Sequence, residues 1–175
     1  MDYITTLGTI RIIRRIFDLK ISRFLLITLL LTIWPICLPA QTVSSSTRTI
    51  VNDSVAAAQL IGKPKFQLHW ISWGKWRDLA DLVVSDRHGS LFIKGRQAKG
   101  GDYVEIEGTV LKVEAKEFTF QGRIVTRVSY KNGGKPCERN GEMTFKITGK
   151  RRYWRLQEMQ SPCDETTDYV DIFLR

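Results

Sequence analysis

Three tryptophans, Trp70, Trp73 and Trp76, fall within seven residues, interleaved with Lys75 and followed by Arg77. A second group of the same kind comes late in the chain, where Lys150, Arg151, Arg152 and Arg155 surround Tyr153 and Trp154. Aromatic faces beside guanidinium groups stack on sugars or bases and hold anionic groups, the physics of glycan and single-strand binding sites. Alternation with Leu156 turns Trp154 inward, so that Tyr153, Arg155 and Gln157 share the outer face. The candidate binding residues are therefore Trp73, Trp76, Arg77, Arg151, Tyr153 and Arg155. Core packing is the competing use of such rings, and at least one tryptophan in each group is expected to serve it.

Signatures of catalysis are missing from the sequence. It holds no Gly-x-Ser-x-Gly elbow, no glycine-rich phosphate loop opening a helix, no His-Glu-x-x-His and no Cys-x-x-Cys. The two histidines, His69 and His88, read as ordinary surface or turn residues. A carboxylate-based hydrolase would need two acids converging in a cleft. Glu105 and Glu107 share a strand face, but a hairpin turning near Lys116 sets Glu105 opposite Arg127, where a cross-strand ion pair accounts for both. The acids Asp164, Glu165, Asp168 and Asp171 do not follow the spacing of a calcium loop. They are expected to form a solvated turn and the strand after it, with Asp171 on one face with Tyr169 and Phe173. No metal site and no cofactor is expected.

The elements that must position the aromatic groups alternate with period two. Phe66 to Trp70, Leu79 to Val84 and Leu91 to Ile93 are expected strands, the last two parted by a turn at Asp86 to Gly89. Asp102 to Glu114 and Phe118 to Tyr130 form the clearest pair, with a tip at Ala115 to Glu117. Apolar parity slips between Val110 and Leu111, which predicts a bulge or tight bend near Gly108. Met143 to Ile147, Tyr153 to Gln157 and Tyr169 to Leu174 complete about eight short antiparallel strands. Such a series predicts an all-β meander closed into a small barrel, with a two-layer β-sandwich as the alternative; closure is preferred because it removes the sheet edges. One short helix precedes it, capped by Asp53 or Ser54 and stopped at Gly62.

Residues 1–40 have the order of a secretory signal: a basic stretch through Arg23, an apolar run from Phe24 to Trp34, then Pro35 and Leu38-Pro39-Ala40. The run is too short to cross ~30 Å of hydrocarbon. The alternative is an uncleaved N-terminal membrane anchor facing out of the cytoplasm. The bulky residues before Cys37 argue against lipid attachment there. Removal of the leader leaves Cys137 and Cys163, which in an exported chain read as a disulfide. Residues 41–65 read as a linker containing the helix, flexible from Gln41 to Asn52, and 66–175 as one β domain.

The chain carries 27 Lys+Arg against 18 Asp+Glu. Five of those bases and two of those acids lie in 1–40, which leaves 22 against 16, an excess of +6. That excess favours acidic partners without naming one. Nucleic acid is disfavoured, because the leader carries the protein away from it. The sequence thus points to a non-enzymatic, periplasmic or secreted module that holds an anionic envelope component or a glycan. The alternative is a factor that binds another exported protein, such as an inhibitor of an envelope-acting enzyme, through loops such as Arg96 to Gly101.

Overall fold

The structure, a computed structural model, describes residues 48–175. The leader, Cys37 and the tether up to residue 47 lie outside the described residues. Eight antiparallel strands follow one another around a closed barrel: β2 (Lys65–Leu68), β3 (Ala80–Arg87), β4 (Ser90–Lys99), β5 (Asp102–Val113), β6 (Glu117–Arg127), β7 (Cys137–Lys146), β8 (Tyr153–Leu156) and β9 (Val170–Phe173). β9 pairs with β2, as in Phe66 opposite Ile172, and this closes the ring. The meander expected from the alternation is therefore a barrel and not a sandwich.

A ninth strand, β1 (Ile50–Val51), lies within the segment read as a flexible tether. Its role is to complete β5. Pairing of β4 with β5 ends at Phe92 opposite Thr109, which leaves the far end of β5 open on that side. β1 fills it in parallel, with Ile50 opposite Lys112 and Val51 opposite Val113. Thr49 ties the junction, its hydroxyl donating to the Val110 carbonyl at 2.7 Å and accepting from the Leu91 N–H at 2.8 Å. The helix Ser54–Leu60 follows, capped by the Asp53 carboxylate, which accepts from the Ala56 N–H. Its Ala56, Ala57 and Leu60 pack into the core.

An eight-stranded barrel is just wide enough for its own side chains. Phe118 stacks on Phe145 at 5.0 Å and meets Trp154 edge-on at 5.8 Å, with Phe66, Phe120, Leu156 and Ile172 also fully buried. The expected irregularity is present in two parts. Leu111 bulges where the β5–β6 register shifts between Val110 and Lys112. Gly108 stands directly opposite Gly122 beneath the Phe120 ring, so close that a Cβ on Gly108 would lie 2.6 Å from the Gly122 Cα and 2.7 Å from Phe120.

Several expectations are corrected. β2 ends at Leu68, and His69 and Trp70 begin a short helix, His69–Ser72, because the chain must leave the barrel wall there to close its end, burying Ile71 and Ser72. β3 runs through Arg87, leaving His88 and Gly89 as the turn. β4 runs through Lys99, so only Gly100 and Gly101 remain of the loop expected at Arg96 to Gly101. β6 ends at Arg127. Glu105 faces Val125 and not Arg127, a shift of two residues: one comes from the tip, centred between Ala115 and Lys116 with Val113 opposite Phe118, and one from the Leu111 bulge; Glu105 pairs instead with Arg96 on β4.

The connection from β8 to β9 is held by covalent and polar ties. Cys137 and Cys163 form a disulfide with a Cα–Cα distance of 5.9 Å. Arg139, buried beside it, donates to the Glu158 and Gln160 carbonyls and pairs with Asp168 at 2.9 Å. Asp168 is only 4% exposed and Asp171 only 1%. These acids are buried ion-pair members, not the solvated turn expected from their charge, because a buried carboxylate persists when an arginine satisfies it.

Candidate binding site

Gln67 on β2, Asp171 on β9 and Arg155 on β8 stand in register on the outer face of the barrel, Gln67 opposite Asp171 and Asp171 opposite Arg155. Alternation puts their neighbours Phe66, Ile172, Trp154 and Leu156 into the core. The outer row is nevertheless shielded, because the segment between β2 and β3 folds back over it. Ser72 Oγ donates to Gln67 Oε1, and Gln97 Nε2 donates to the Asp78 carbonyl at 2.6 Å. Lys99 Nζ pairs with Asp78 at 2.7 Å, anchoring the far end of the excursion. A 3-10 turn, Trp76–Asp78, then brings the Trp76 ring edge-on to Phe173 at 5.6 Å.

The result is a groove of about 260 Å³ lined by His69, Trp76, Tyr153, Arg155 and Phe173, with Gln67 and Asp171 at its floor and Gly74 and Leu79 completing the wall. Arg155 is held from several sides. Its Nε and Nη2 donate to the two Asp171 oxygens at 2.6 and 2.8 Å. Its guanidinium carbon lies 5.1 Å from the Tyr153 ring centre and 4.3 Å from that of Tyr169. The hydrogen bonds to Asp171 raise the Arg155 pKa above its ordinary value, against the opposing effect of burial. Arg155 is thus a rigid donor whose charge Asp171 already compensates.

Of the residues singled out from sequence, the structure brings Trp76, Tyr153 and Arg155 together in this groove. Arg151 does not line the groove, but its guanidinium carbon lies 5.8 Å from the ring centre of Tyr153, which does. Trp73 is 56% exposed and lies outside the groove wall, while Arg77 sits exposed on the 3-10 turn and does not line the groove. Sequence reasoning set His69 aside and did not include Gln67, Asp171, Phe173 or Tyr169 among the binding candidates. The shared face of Tyr169, Asp171 and Phe173 was the available signal; which strand lay beside that face was not readable.

Residues 48–174 match the model of the PM1083 family. The chain belongs to the PM1083 family. A protein of Pasteurella multocida (strain Pm70) described as uncharacterized protein PM1083 is 45% identical over 115 residues, 66% of this chain and 73% of that protein. No solved structure matches the chain. The PM1083 match runs from just before β1 to just after β9, so it takes in the barrel, the disulfide and every residue of the groove.

This PM1083-family barrel carries a second, wider concavity of about 430 Å³ on the outer face of β3 to β6. Asp81, Glu105 and Glu107 lie there, the arrangement that carboxylate catalysis would need. Each is engaged: Asp81 with Lys65 at 2.7 Å, Glu107 with Lys94 at 3.1 Å and Glu105 with Arg96. The Lys65 hydrogen bond holds the Asp81 carboxyl below its ordinary value, the opposite of what a general acid requires. Among the described residues, no group of three or more His, Cys, Asp or Glu is placed to hold a metal ion.

Proposed function

We propose that this PM1083-family protein is an exported, non-enzymatic binding module that holds a glycan, including glycans bearing acidic substituents, in the groove between Trp76 and Tyr153. The observation that carries the reading is Trp76 itself. It is 67% exposed, yet it is set against Phe173 on a turn anchored at Asp78, beside the immobilised Arg155. A large apolar ring kept in water next to a preorganised hydrogen-bond donor is what stacking on a polar ring requires. Asp171 neutralises Arg155, so acidic substituents fall to Arg151 beside Tyr153, and salt should weaken binding only moderately.

The binding role is favoured over catalysis by the commitments of the groove's single carboxylate. Asp171 accepts from Arg155 through both oxygens and from Gln67 Nε2 at 3.2 Å, leaving it poorly placed to move a proton. Export is supported by the order of residues in the leader and by the Cys137–Cys163 disulfide, a bond that persists in oxidising compartments. Among the described residues, no helix is long and apolar enough to cross a membrane.

The test is calorimetric titration of the oxidised protein with a panel of neutral and acidic envelope glycans, repeated with Trp76→Ala and Tyr153→Ala. Binding that both variants weaken at least tenfold supports the reading. A panel without binding, or binding that survives in both variants, overturns it and turns attention to a protein partner recovered as a stoichiometric complex.

A further inference from the structure

A second aromatic platform stands beside the groove without forming part of its wall. Trp73 is backed edge-on by His69 at 5.7 Å and by Trp70 at 5.6 Å, and more than half of it faces solvent. Its backing is rigid. The Trp70 indole N–H donates to the buried Asp168 carboxylate at 3.1 Å, Lys131 Nζ lies 4.3 Å over the Trp70 ring, and the Tyr130 hydroxyl donates to the Trp70 carbonyl at 3.3 Å. Trp73 ends the short helix in the left-handed region, with φ 49° and ψ 37°, and its N–H donates to the His69 carbonyl at 2.8 Å. Glycine or asparagine makes that helix ending without strain, so neither the backbone nor the core accounts for a tryptophan there.

The two platforms are joined by a track of rings. His69 meets both Trp73 and Tyr169, the latter at 6.3 Å. Arg155 spans Tyr169 and Tyr153, Tyr153 packs on Phe173 at 5.5 Å, and Phe173 supports Trp76. Trp76 lines the groove and Trp73 does not, so occupancy of the groove alone gives Trp73 no role. We propose, resting on the glycan reading of the groove, that the ligand is a linear oligosaccharide of several rings, with one ring in the groove on Trp76 and Tyr153 and a later ring stacked on Trp73. An extended polar polymer fits the mixture of exposed rings with the donors His69, Gln67 and Arg155.

The experiment is calorimetric titration of the oxidised protein, expressed with its full leader, against two length series of one to six rings: neutral β-1,4-linked N-acetylglucosamine oligomers and acidic oligogalacturonates. Native protein is expected to bind longer oligomers at least tenfold more tightly than the shortest that bind. Trp73→Asn tolerates the left-handed backbone and should flatten that rise, so that affinities for short and long oligomers converge; Trp73→Tyr should restore most of it. Trp76→Ala should weaken all lengths. Affinity independent of length in the native protein, or a rise that persists in Trp73→Asn, overturns the extended ligand while leaving the groove reading intact. Absence of binding in both series, or full binding by Trp76→Ala, overturns the groove reading and this inference with it.

Discussion

Arg155 meets both oxygens of Asp171 on the outer wall of the barrel, and Asp171 is the more deeply buried of the two, with its side chain 1% exposed against 14% for Arg155. The asymmetry has a consequence for stability. Loss of Arg155 leaves the deeply buried Asp171 carboxylate with the Gln67 amide as its remaining donor, whereas loss of the Asp171 charge leaves a long side chain able to turn outward. Arg155→Ala is expected to cost about 3–5 kcal/mol and Asp171→Asn clearly less, read as shifts in urea midpoint at constant slope. Equal costs would show that the pair does not have this directional character.

The disulfide joins residues 26 apart in sequence, so its main effect is to restrict the unfolded chain. Replacing Cys137 and Cys163 together by serine should cost about 3–4 kcal/mol. Reductant should lower the melting temperature of the native protein towards that of the double variant and leave the double variant unmoved. A native protein indifferent to reductant would refute the bridge.

Gly108 and Gly122 approach each other as no pair with side chains could. A Cβ on Gly122 would lie 2.8 Å from the Gly108 Cα and would run into the backbone of Glu107 and the ring of Phe120. Gly122→Ala should destabilise by about 3 kcal/mol, at the upper end for overpacking, because the nearest obstacle is backbone that cannot step aside. A change under about 0.5 kcal/mol, the range of a neutral surface substitution, would mean that the strands do not pinch here.

Four carboxyl groups sit below their ordinary values, each first through a side-chain hydrogen bond: Lys99 to Asp78, Lys65 to Asp81, Asn140 to Glu138 and Thr166 to Asp164. A group with a lowered folded pKa binds fewer protons in the folded than in the unfolded state as pH falls. Its stabilisation is present above the unfolded value and is lost as pH drops through the folded one. The urea midpoint should therefore hold steady down to about pH 5 and fall below about pH 4. Asp164→Asn should make that fall shallower. A midpoint that stays level down to pH 2 contradicts the assignment.

Much of the barrel was legible in local pattern because alternation of side chains is a property of each strand alone. Trp154 and Leu156 pointed inward as their spacing required, and the parity slip after Val110 marked the bulge at Leu111. The helix cap was legible to within two residues, Asp53 or Ser54, because a cap is a contact over three residues; the structure selects Asp53. Register was less accessible. The partner of Glu105 changed from Arg127 to Arg96 through a hairpin tip centred just before Lys116, one bulged residue, and a neighbouring strand that no local rule assigns.

By itself the sequence determined the eight strands of the barrel and their alternation, though not the added strand β1, together with the two cysteines that bridge and the aromatic and basic residues from which a site could be made. Tertiary structure decided which of them meet. Asp168 and Asp171 looked like solvated charge because their burial depends on Arg139 and Arg155, 29 and 16 positions away. Trp70 looked like part of a strand because nothing local shows that the chain must cross the barrel's end and return along its outer wall. That return places Trp76 on Phe173, and it rests on contacts such as Gln97 with Asp78 that form only when strands distant in sequence pack side by side.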